Sequence, residues 1–85
     1  GATAKRSATA AECFERVTVI RRSVAELTKT PELGQNIKVL YGGSSNASNT
    51  QEFLTTGGAD GLLVGRASLD PKEFSTMITI ASKLN

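Results

Sequence analysis

Histidine and tryptophan are absent from this 85-residue sequence, and cysteine occurs once. Without histidine the chain offers no Ser-His or Cys-His nucleophile system, and a zinc cluster is excluded in practice. A single cysteine forms no internal disulfide, so a domain this small has no covalent staple. We therefore expect no metal and no cofactor, and a hydrophobic core that is small for an independent domain.

Strong charge and long apolar segments are also lacking. Ten basic and eight acidic residues leave a net charge of +2, which is too balanced to indicate nucleic-acid binding. No apolar run approaches the roughly 20 residues that cross a bilayer, and residues 1–7 lack the apolar core of a signal peptide. We expect a soluble, cytoplasmic chain with no nucleic-acid or membrane partner. Because it opens on Gly1 without an initiator methionine, we expect the fold to continue upstream.

The residues that are present predict alternating helices and strands. Thr9 and Glu12 form a capping-box pattern at the start of a predicted helix over residues 9–29. Its apolar stripe has spacings of three and four residues and consists of Cys13, Val17, Ile20, Val24 and Leu27. Its arginines are expected on the solvated face, and Cys13 as an inert buried thiol. Residues 31–36 are interpreted as a connecting loop.

The rest of the sequence contains two β-rich runs, each ended by glycine, and a second helix-capping residue. They predict strands over 37–41 and 61–64 and a helix over 48–56, with a left-handed stop at Gly57-Gly58. Asp70 caps a predicted final helix over 70–84, whose stripe is Phe74, Met77, Ile78, Ala81 and Leu84. Strands that alternate with helices indicate an α/β fold with parallel pairing. Two parallel strands alone are insufficient for a sheet, so the chain is interpreted as a section of a longer βα repeat.

Glycine follows both predicted strands, at the side where βα units place their loops. The segments are Tyr41-Gly42-Gly43-Ser44 and Leu63-Val64-Gly65-Arg66. Glycine there allows a ligand to approach the backbone closely, and successive N–H groups near a helix start form an anion cradle. On pattern alone, ordinary βα turns are the favoured explanation.

Both segments, in order and at this separation, resemble the C-terminal third of triosephosphate isomerases. The second segment extends over residues 59–69, and the resemblance covers about 80 of the 85 residues. It implies the C-terminal portion of a (β/α)₈ barrel: residues 1–8 as the end of the lid loop, then helix 6, strand 7, helix 7, strand 8 and helix 8. The family interconverts dihydroxyacetone phosphate and glyceraldehyde 3-phosphate through an enediol, with a lysine, a histidine and a glutamate that would lie upstream of this chain.

What carries over residue by residue is the grip on the substrate phosphate. The resemblance implies contacts through Ser44, Gly65 and Arg66, with Gly43 shaping the turn and Leu63 facing the substrate pocket. Gly1 matches the lid-loop glycine whose N–H contacts phosphate. No catalytic residue carries over, because none of Lys5, Glu12 and Glu15 stands at a matching position.

The sequence departs from the family at two places. Arg66 stands where many relatives have a second glycine, so its side chain must point away from the phosphate, and residues 1–7 differ from the usual lid. The resemblance implies a triose phosphate substrate, a cytoplasmic homodimer, and the remainder of the barrel or copies of the chain as partners. An erythrulose-phosphate isomerase and a non-catalytic, self-assembling half-barrel module that binds phosphate remain alternatives.

Overall fold

A computed structural model of the chain describes residues 8–84. The first half contains α1 (Ala10–Thr28), α2 (Pro31–Asn36) and β1 (Leu40–Tyr41). The second half contains α3 (Thr50–Leu54), β2 (Gly61–Leu62), a 3₁₀ turn (Arg66–Leu69) and α4 (Pro71–Lys83). None of these helices has the length and apolar character needed to span a membrane. Gly1 and residues 1–7 of the predicted lid loop lie outside the described residues.

Helix α1 begins at the predicted capping box. The Thr9 N–H donates to Glu12 Oε1 at 2.8 Å, and the Glu12 N–H donates to Thr9 Oγ1 at 3.0 Å. The helix ends at Lys29, whose φ of 55° is left-handed, and Pro31 then begins α2 at once. The two bonds of the capping box satisfy backbone N–H groups that the start of a helix otherwise leaves to water.

The loop predicted over residues 31–36 is wrong, because the segment forms α2. Proline is favourable at the first position of a helix, where its missing N–H costs nothing. Gly34 is buried where α2 crosses α1, and a Cβ at this position would collide with the Arg21 carbonyl oxygen and lie 2.8 Å from the Ala25 Cβ. Gly34, which lies in the segment interpreted as a loop, therefore permits close packing of two helices.

The strands pair in parallel, as predicted, with Leu40 opposite Gly61 and Tyr41 opposite Leu62. Both are shorter in the structure than the predicted runs. The beginning of β1 is bonded by side chains, since the Val39 N–H donates to Asp60 Oδ2 at 2.8 Å. The Asp60 N–H in turn donates to the Val39 carbonyl at 2.8 Å, so the segments that lead into β1 and β2 are already bonded before the short ladder begins.

The core lies on one face of this sheet, which we call the outer face. It contains Cys13, Val17, Val39, Phe53 and Ala59. Phe53 is only 1% exposed, and its ring stacks on Tyr41 with centroids 4.2 Å apart. The distal part of the predicted α1 stripe is different: Ile20 and Leu27 are exposed, so the core uses only the first half of that stripe.

Helix α3 is shorter than the predicted helix over residues 48–56, and it begins without a side-chain cap. Asn49 at the N-cap position makes no side-chain capping bond, and its Oδ1 accepts from the Asn46 N–H at 2.8 Å. The predicted left-handed stop is confirmed at Gly58, where φ is 71°. Asp70 caps α4 as predicted, with Oδ1 accepting from the Lys72 and Glu73 N–H groups at 3.0 and 3.3 Å.

Candidate functional site

The two glycine-containing loops follow the C-terminal ends of the paired strands, which lie at the same end of the sheet; we call this end the shared edge. We call residues 42–49 the β1 loop and residues 63–70 the β2 loop. Just beyond the strand ladder, the Leu63 N–H donates to the Tyr41 carbonyl at 2.8 Å. A Cβ at Gly42 would lie 3.7 Å from Leu63 Cδ2, so the loops begin in contact. The backbone therefore brings Gly43, Ser44, Gly65 and Arg66 out at one side of the two-stranded sheet.

Gly43 is required by the close approach of an aromatic ring. A Cβ there would collide with the Tyr41 hydroxyl oxygen and would stand 2.6 Å from the ring carbon that carries it. The same hydroxyl accepts a hydrogen bond from the Ala8 N–H at 3.3 Å, and the ring stacks on buried Phe53. The start of the β1 loop is thus fixed by the core beneath it, which is the property a preformed ligand contact needs.

Beyond Gly43, the β1 loop is shaped by two asparagines. Asn46 Oδ1 accepts from the N–H groups of Ser48 and Asn49 at 2.9 and 3.1 Å. Asn49 Nδ2 donates to the Ser44 carbonyl at 3.3 Å. Side chains that bond their own loop backbone hold a tight turn in place of regular structure. Ser44 is exposed at the outside of this loop, whereas the neighbouring Ser45 is buried.

In the β2 loop, Gly65 lies open to solvent. An added Cβ would meet no atom within 4 Å, and the residue is exposed. Its carbonyl accepts from the Ser68 N–H at 3.0 Å and from Ser68 Oγ at 2.6 Å, which folds the following residues into the 3₁₀ turn. Arg66 begins that turn and is exposed, so its side chain has room away from the loop backbone.

Leu63 lies on the opposite face of the sheet from the core, which we call the inner face. It is 69% exposed, and Leu40 on the neighbouring strand is 58% exposed. The two leucines stand beside glycines, since Leu63 approaches Gly42 and Leu40 Cδ2 would lie 2.9 Å from a Cβ at Gly61. Leu63 therefore borders the same edge as the glycine loops, on the side that the described residues leave open.

One contact that the sequence pattern did not reveal joins the β1 loop to α4. Glu73, in the first turn of α4, accepts a hydrogen bond from the Ala47 N–H through Oε2 at 2.5 Å. The two residues are 26 positions apart. The sequence signalled Glu73 only as an acidic residue of a helix start, because a partner at this distance along the chain leaves no local pattern.

A second missed network lies at the other end of the strands. Arg21 Nη1 donates to the carbonyls of Gly34, Gln35 and Ile37 at 3.3, 2.9 and 2.7 Å. Its Nη2 contacts Asp60 Oδ2 at 2.7 Å. The expectation that Arg21 lies on a solvated face is therefore wrong. The available signal was its position four residues after Val17, which continues the buried series of Ala10, Cys13 and Val17.

Few of the described side chains are suited to acid–base catalysis or to binding a metal ion. Glu12 is engaged in the α1 cap, Glu15 is exposed on α1, and Lys5 lies outside the described residues. Burial raises the pKa of the Cys13 thiol, although nearby Arg16 opposes the shift. Residues 8–84 contain no group of three or more acidic, cysteine or histidine side chains able to hold a metal ion.

Comparison with known proteins gives one consistent result. The sequence model of the triosephosphate isomerase family matches residues 2–81. A triosephosphate isomerase of Mycobacterium bovis BCG is 42% identical over 77 residues, and one of Mycolicibacterium vanbaalenii is 44% identical over the same length. Both alignments cover 91% of this chain and 29% of the relative. A triosephosphate isomerase of Nocardia farcinica is 45% identical over 75 residues, which are 88% of this chain and 28% of the relative.

The chain therefore spans less than a third of the length of these curated relatives. Its two parallel strands and surrounding helices are a fragment of the family's barrel. On the family match and the identities together, the chain belongs to the triosephosphate isomerase family.

Proposed function

We propose that the complete protein containing this chain interconverts dihydroxyacetone phosphate and glyceraldehyde 3-phosphate, and that this chain supplies the grip on the substrate phosphate. In this proposal β1 and β2 are the seventh and eighth strands of the barrel, α1 is helix 6, α3 is helix 7 and α4 is helix 8. The proposal rests on family membership over residues 2–81 and on the two glycine loops that the resemblance assigns to phosphate.

The observation that carries the proposal is the shared edge of the two loops. The bond from the Leu63 N–H to the Tyr41 carbonyl sets Gly42-Gly43-Ser44 beside Val64-Gly65-Arg66. In a (β/α)₈ barrel the active site is built from the loops at the carboxyl ends of the strands. Main-chain N–H groups of Ser44, Gly65 and Arg66, together with the Ser44 hydroxyl, are the proposed donors to phosphate oxygens, and Gly1 is the proposed contact from the lid.

These donors bind charge but move no proton. The isomerisation removes a proton from one substrate carbon and returns it to the neighbouring one, which requires a base and an electrophile. We assign those roles to a glutamate, a histidine and a lysine elsewhere in the complete protein. The 85-residue chain is accordingly proposed to be inactive by itself, because phosphate binding alone does not stabilise the transition state of proton transfer.

The proposal includes a cytoplasmic homodimer without a cofactor, as the resemblance implies. A four-carbon sugar phosphate is the alternative substrate, since residues 1–7 depart from the usual lid. A different class of function, a phosphate-binding half-barrel built from copies of the chain, is favoured by one observation. The inner face of the sheet exposes Leu40 and Leu63, which another chain would cover.

Steady-state kinetics of the complete protein test the proposal. Ser44→Ala is expected to raise KM for the triose phosphate about tenfold, because a hydrogen bond to a charged phosphate contributes roughly 1.5–3 kcal/mol. We expect a smaller loss in kcat, because the binding energy of the phosphate group also helps the loops to close over the substrate. Ser75→Ala, on the exposed side of α4, is the matched control.

The outcomes separate the alternatives. Turnover of a four-carbon but not a three-carbon substrate would change the substrate assignment and leave the phosphate grip in place. A complete protein that turns over neither would remove the isomerase proposal. Phosphate binding by an assembly of 85-residue chains without turnover would instead favour the half-barrel module.

A further inference from the structure

The contact between Glu73 and Ala47 joins the two halves of the proposed phosphate site. Ala47 belongs to the β1 loop, whereas Glu73 follows the β2 loop in α4. The bond from the Ala47 N–H to Glu73 Oε2 has a carboxylate acceptor, and charge-assisted bonds of this kind are stronger than those between neutral groups. Both residues are half-buried, so the bond is partly shielded from competition with water.

On the α4 side, two backbone hydrogen bonds and one to the Asp70 side chain span the residues between Gly65 and Glu73. The Gly65 carbonyl accepts from Ser68, the Asp70 N–H donates to the Ala67 carbonyl at 3.2 Å, and Asp70 Oδ1 accepts from the Glu73 N–H. These bonds restrict how far Glu73 can move relative to Gly65 and Arg66.

On the β1 side, Ala47 stands between the two asparagines that shape the loop. The Asn46 N–H is bonded to Asn49 Oδ1, and Asn49 Nδ2 reaches back to the Ser44 carbonyl. Holding the Ala47 N–H therefore holds the turn on which Ser44 is mounted. A phosphate gripped from both loops requires this separation to be correct to a fraction of an ångström.

We propose that Glu73 is a positioning residue for the substrate phosphate. Its bond to the Ala47 N–H fixes the distance between the β1 loop and the β2 loop, so that Ser44 and Gly65 can bind the same phosphate group. The inference rests on the function proposed above. Its carboxylate is accommodated near an anion because it lies in the first turn of α4, where the helix dipole favours negative charge, and accepts the Ala47 N–H.

Three substitutions in the complete protein separate the hydrogen bond from the charge. Glu73→Ala removes both. Glu73→Asp keeps the charge and the helix-start preference, but its side chain is one methylene too short to reach the Ala47 N–H. Glu73→Gln keeps an oxygen acceptor and removes the charge. Glu32→Ala is the matched control, since Glu32 is an exposed acidic residue in the first turn of α2.

The readouts are KM and kcat for the triose phosphate, the inhibition constant of inorganic phosphate as a competitive probe, and the thermal midpoint. Glu73→Ala and Glu73→Asp are expected to raise KM and the phosphate inhibition constant about tenfold, with a smaller fall in kcat. Glu73→Gln is expected to stay within about threefold of the wild type, and Glu32→Ala to be unchanged.

The inference is overturned if the wild type is active and Glu73→Asp leaves both constants unchanged, or if Glu73→Gln weakens phosphate binding as much as Glu73→Ala. Should Glu73→Ala fail to fold, Glu73→Asp and Glu73→Gln decide the question. A fall in thermal midpoint without any change in the phosphate constant assigns Glu73 a purely structural role and also overturns it. A wild type without isomerase turnover removes the proposed function, and this inference with it.

Discussion

The outer and inner faces of the two-stranded sheet have opposite surroundings. On the outer face, Val39 is buried and the Tyr41 ring stacks on Phe53, which is itself enclosed. On the inner face, the alternate residues Leu40 and Leu63 are exposed beside glycines. Alternation along a strand sends neighbouring side chains to opposite faces, so a single run of sequence contributes to both. The described residues therefore cover the outer face of the sheet and leave the inner face open.

The candidate site lies at the C-terminal ends of the strands, where it borders both faces of the sheet. Gly43 is fixed from the outer side by the Tyr41 ring, and the β1 loop is held to α4 by Glu73. Leu63, by contrast, borders the site from the open inner side. Under the function proposed above, the phosphate contacts come from this chain, whereas the wall of the substrate pocket and the proton-transfer groups come from the rest of the barrel.

The largest expected effect comes from removing the rest of the barrel. The isolated 85-residue chain exposes its inner-face leucines and a groove of about 430 Å³ between β2 and α4. Both sheet edges are also unpaired among the described residues, which promotes association. We expect no cooperatively folded monomer, as measured by circular dichroism and by size exclusion with light scattering. A cooperative monomer at micromolar concentration would show instead that the exposed inner face is tolerated.

Truncating the inner face in the complete protein tests whether it is covered there. Leu40→Ala is expected to lower the free energy of unfolding by about 2–5 kcal/mol, the cost of a cavity at a buried leucine. Leu40→Met, which conserves volume, is the control and is expected to cost less than about 1.5 kcal/mol. Urea denaturation measures both. A loss for Leu40→Ala no greater than for a surface residue would contradict the barrel interpretation of this face.

The Arg21 network sharpens the comparison from the outer side. Arg21→Ala leaves three carbonyls and the Asp60 carboxylate without this donor, and we expect a loss of about 2–3 kcal/mol in the free energy of unfolding of the complete protein. Arg22→Ala, an exposed neighbour, is expected to change stability by less than about 0.5 kcal/mol. Equal effects of the two substitutions would mean that the network contributes nothing specific.

The smallest expected effect is a gain in stability. Ser45, which is 9% exposed, has a buried hydroxyl oxygen without a hydrogen-bond partner among the described residues. Because an unsatisfied buried polar atom is costly, Ser45→Ala is expected to raise the free energy of unfolding of the complete protein by about 1 kcal/mol. Thermal unfolding measures the change. A loss of stability would show that the hydroxyl is satisfied in the complete protein, for example by a residue of the barrel interior.

Local chemistry accounts for what was predicted from the sequence. The Thr9 and Glu12 cap, the Asp70 cap and the left-handed Gly58 each depend on residues within a few positions, so the pattern contains the cause. Parallel pairing followed from the alternation of elements. The placement of both glycine loops at one edge follows from that pairing, whereas the phosphate contacts of Ser44, Gly65 and Arg66 remain a proposal.

What was missed depends on partners distant in sequence. Arg21 and Asp60 are 39 positions apart, and their bonds replace part of the ladder that the β-rich run of residues 37–41 predicts. Helix α2 forms where the sequence predicted a connecting loop, because Gly34 fits against α1. In both cases the tertiary contact decides the local structure, and no short window of sequence contains that contact.

The most direct test of the central claim is an amide NMR titration of the complete protein with inorganic phosphate. The account predicts that the backbone amide signals of Ser44, Gly65 and Arg66 shift together and saturate with one dissociation constant, while those of Gly34 and Gly57 in the helix layer stay in place. Shifts that avoid these three amides, or that move them with different dissociation constants, would contradict the claim that the two glycine loops grip one phosphate.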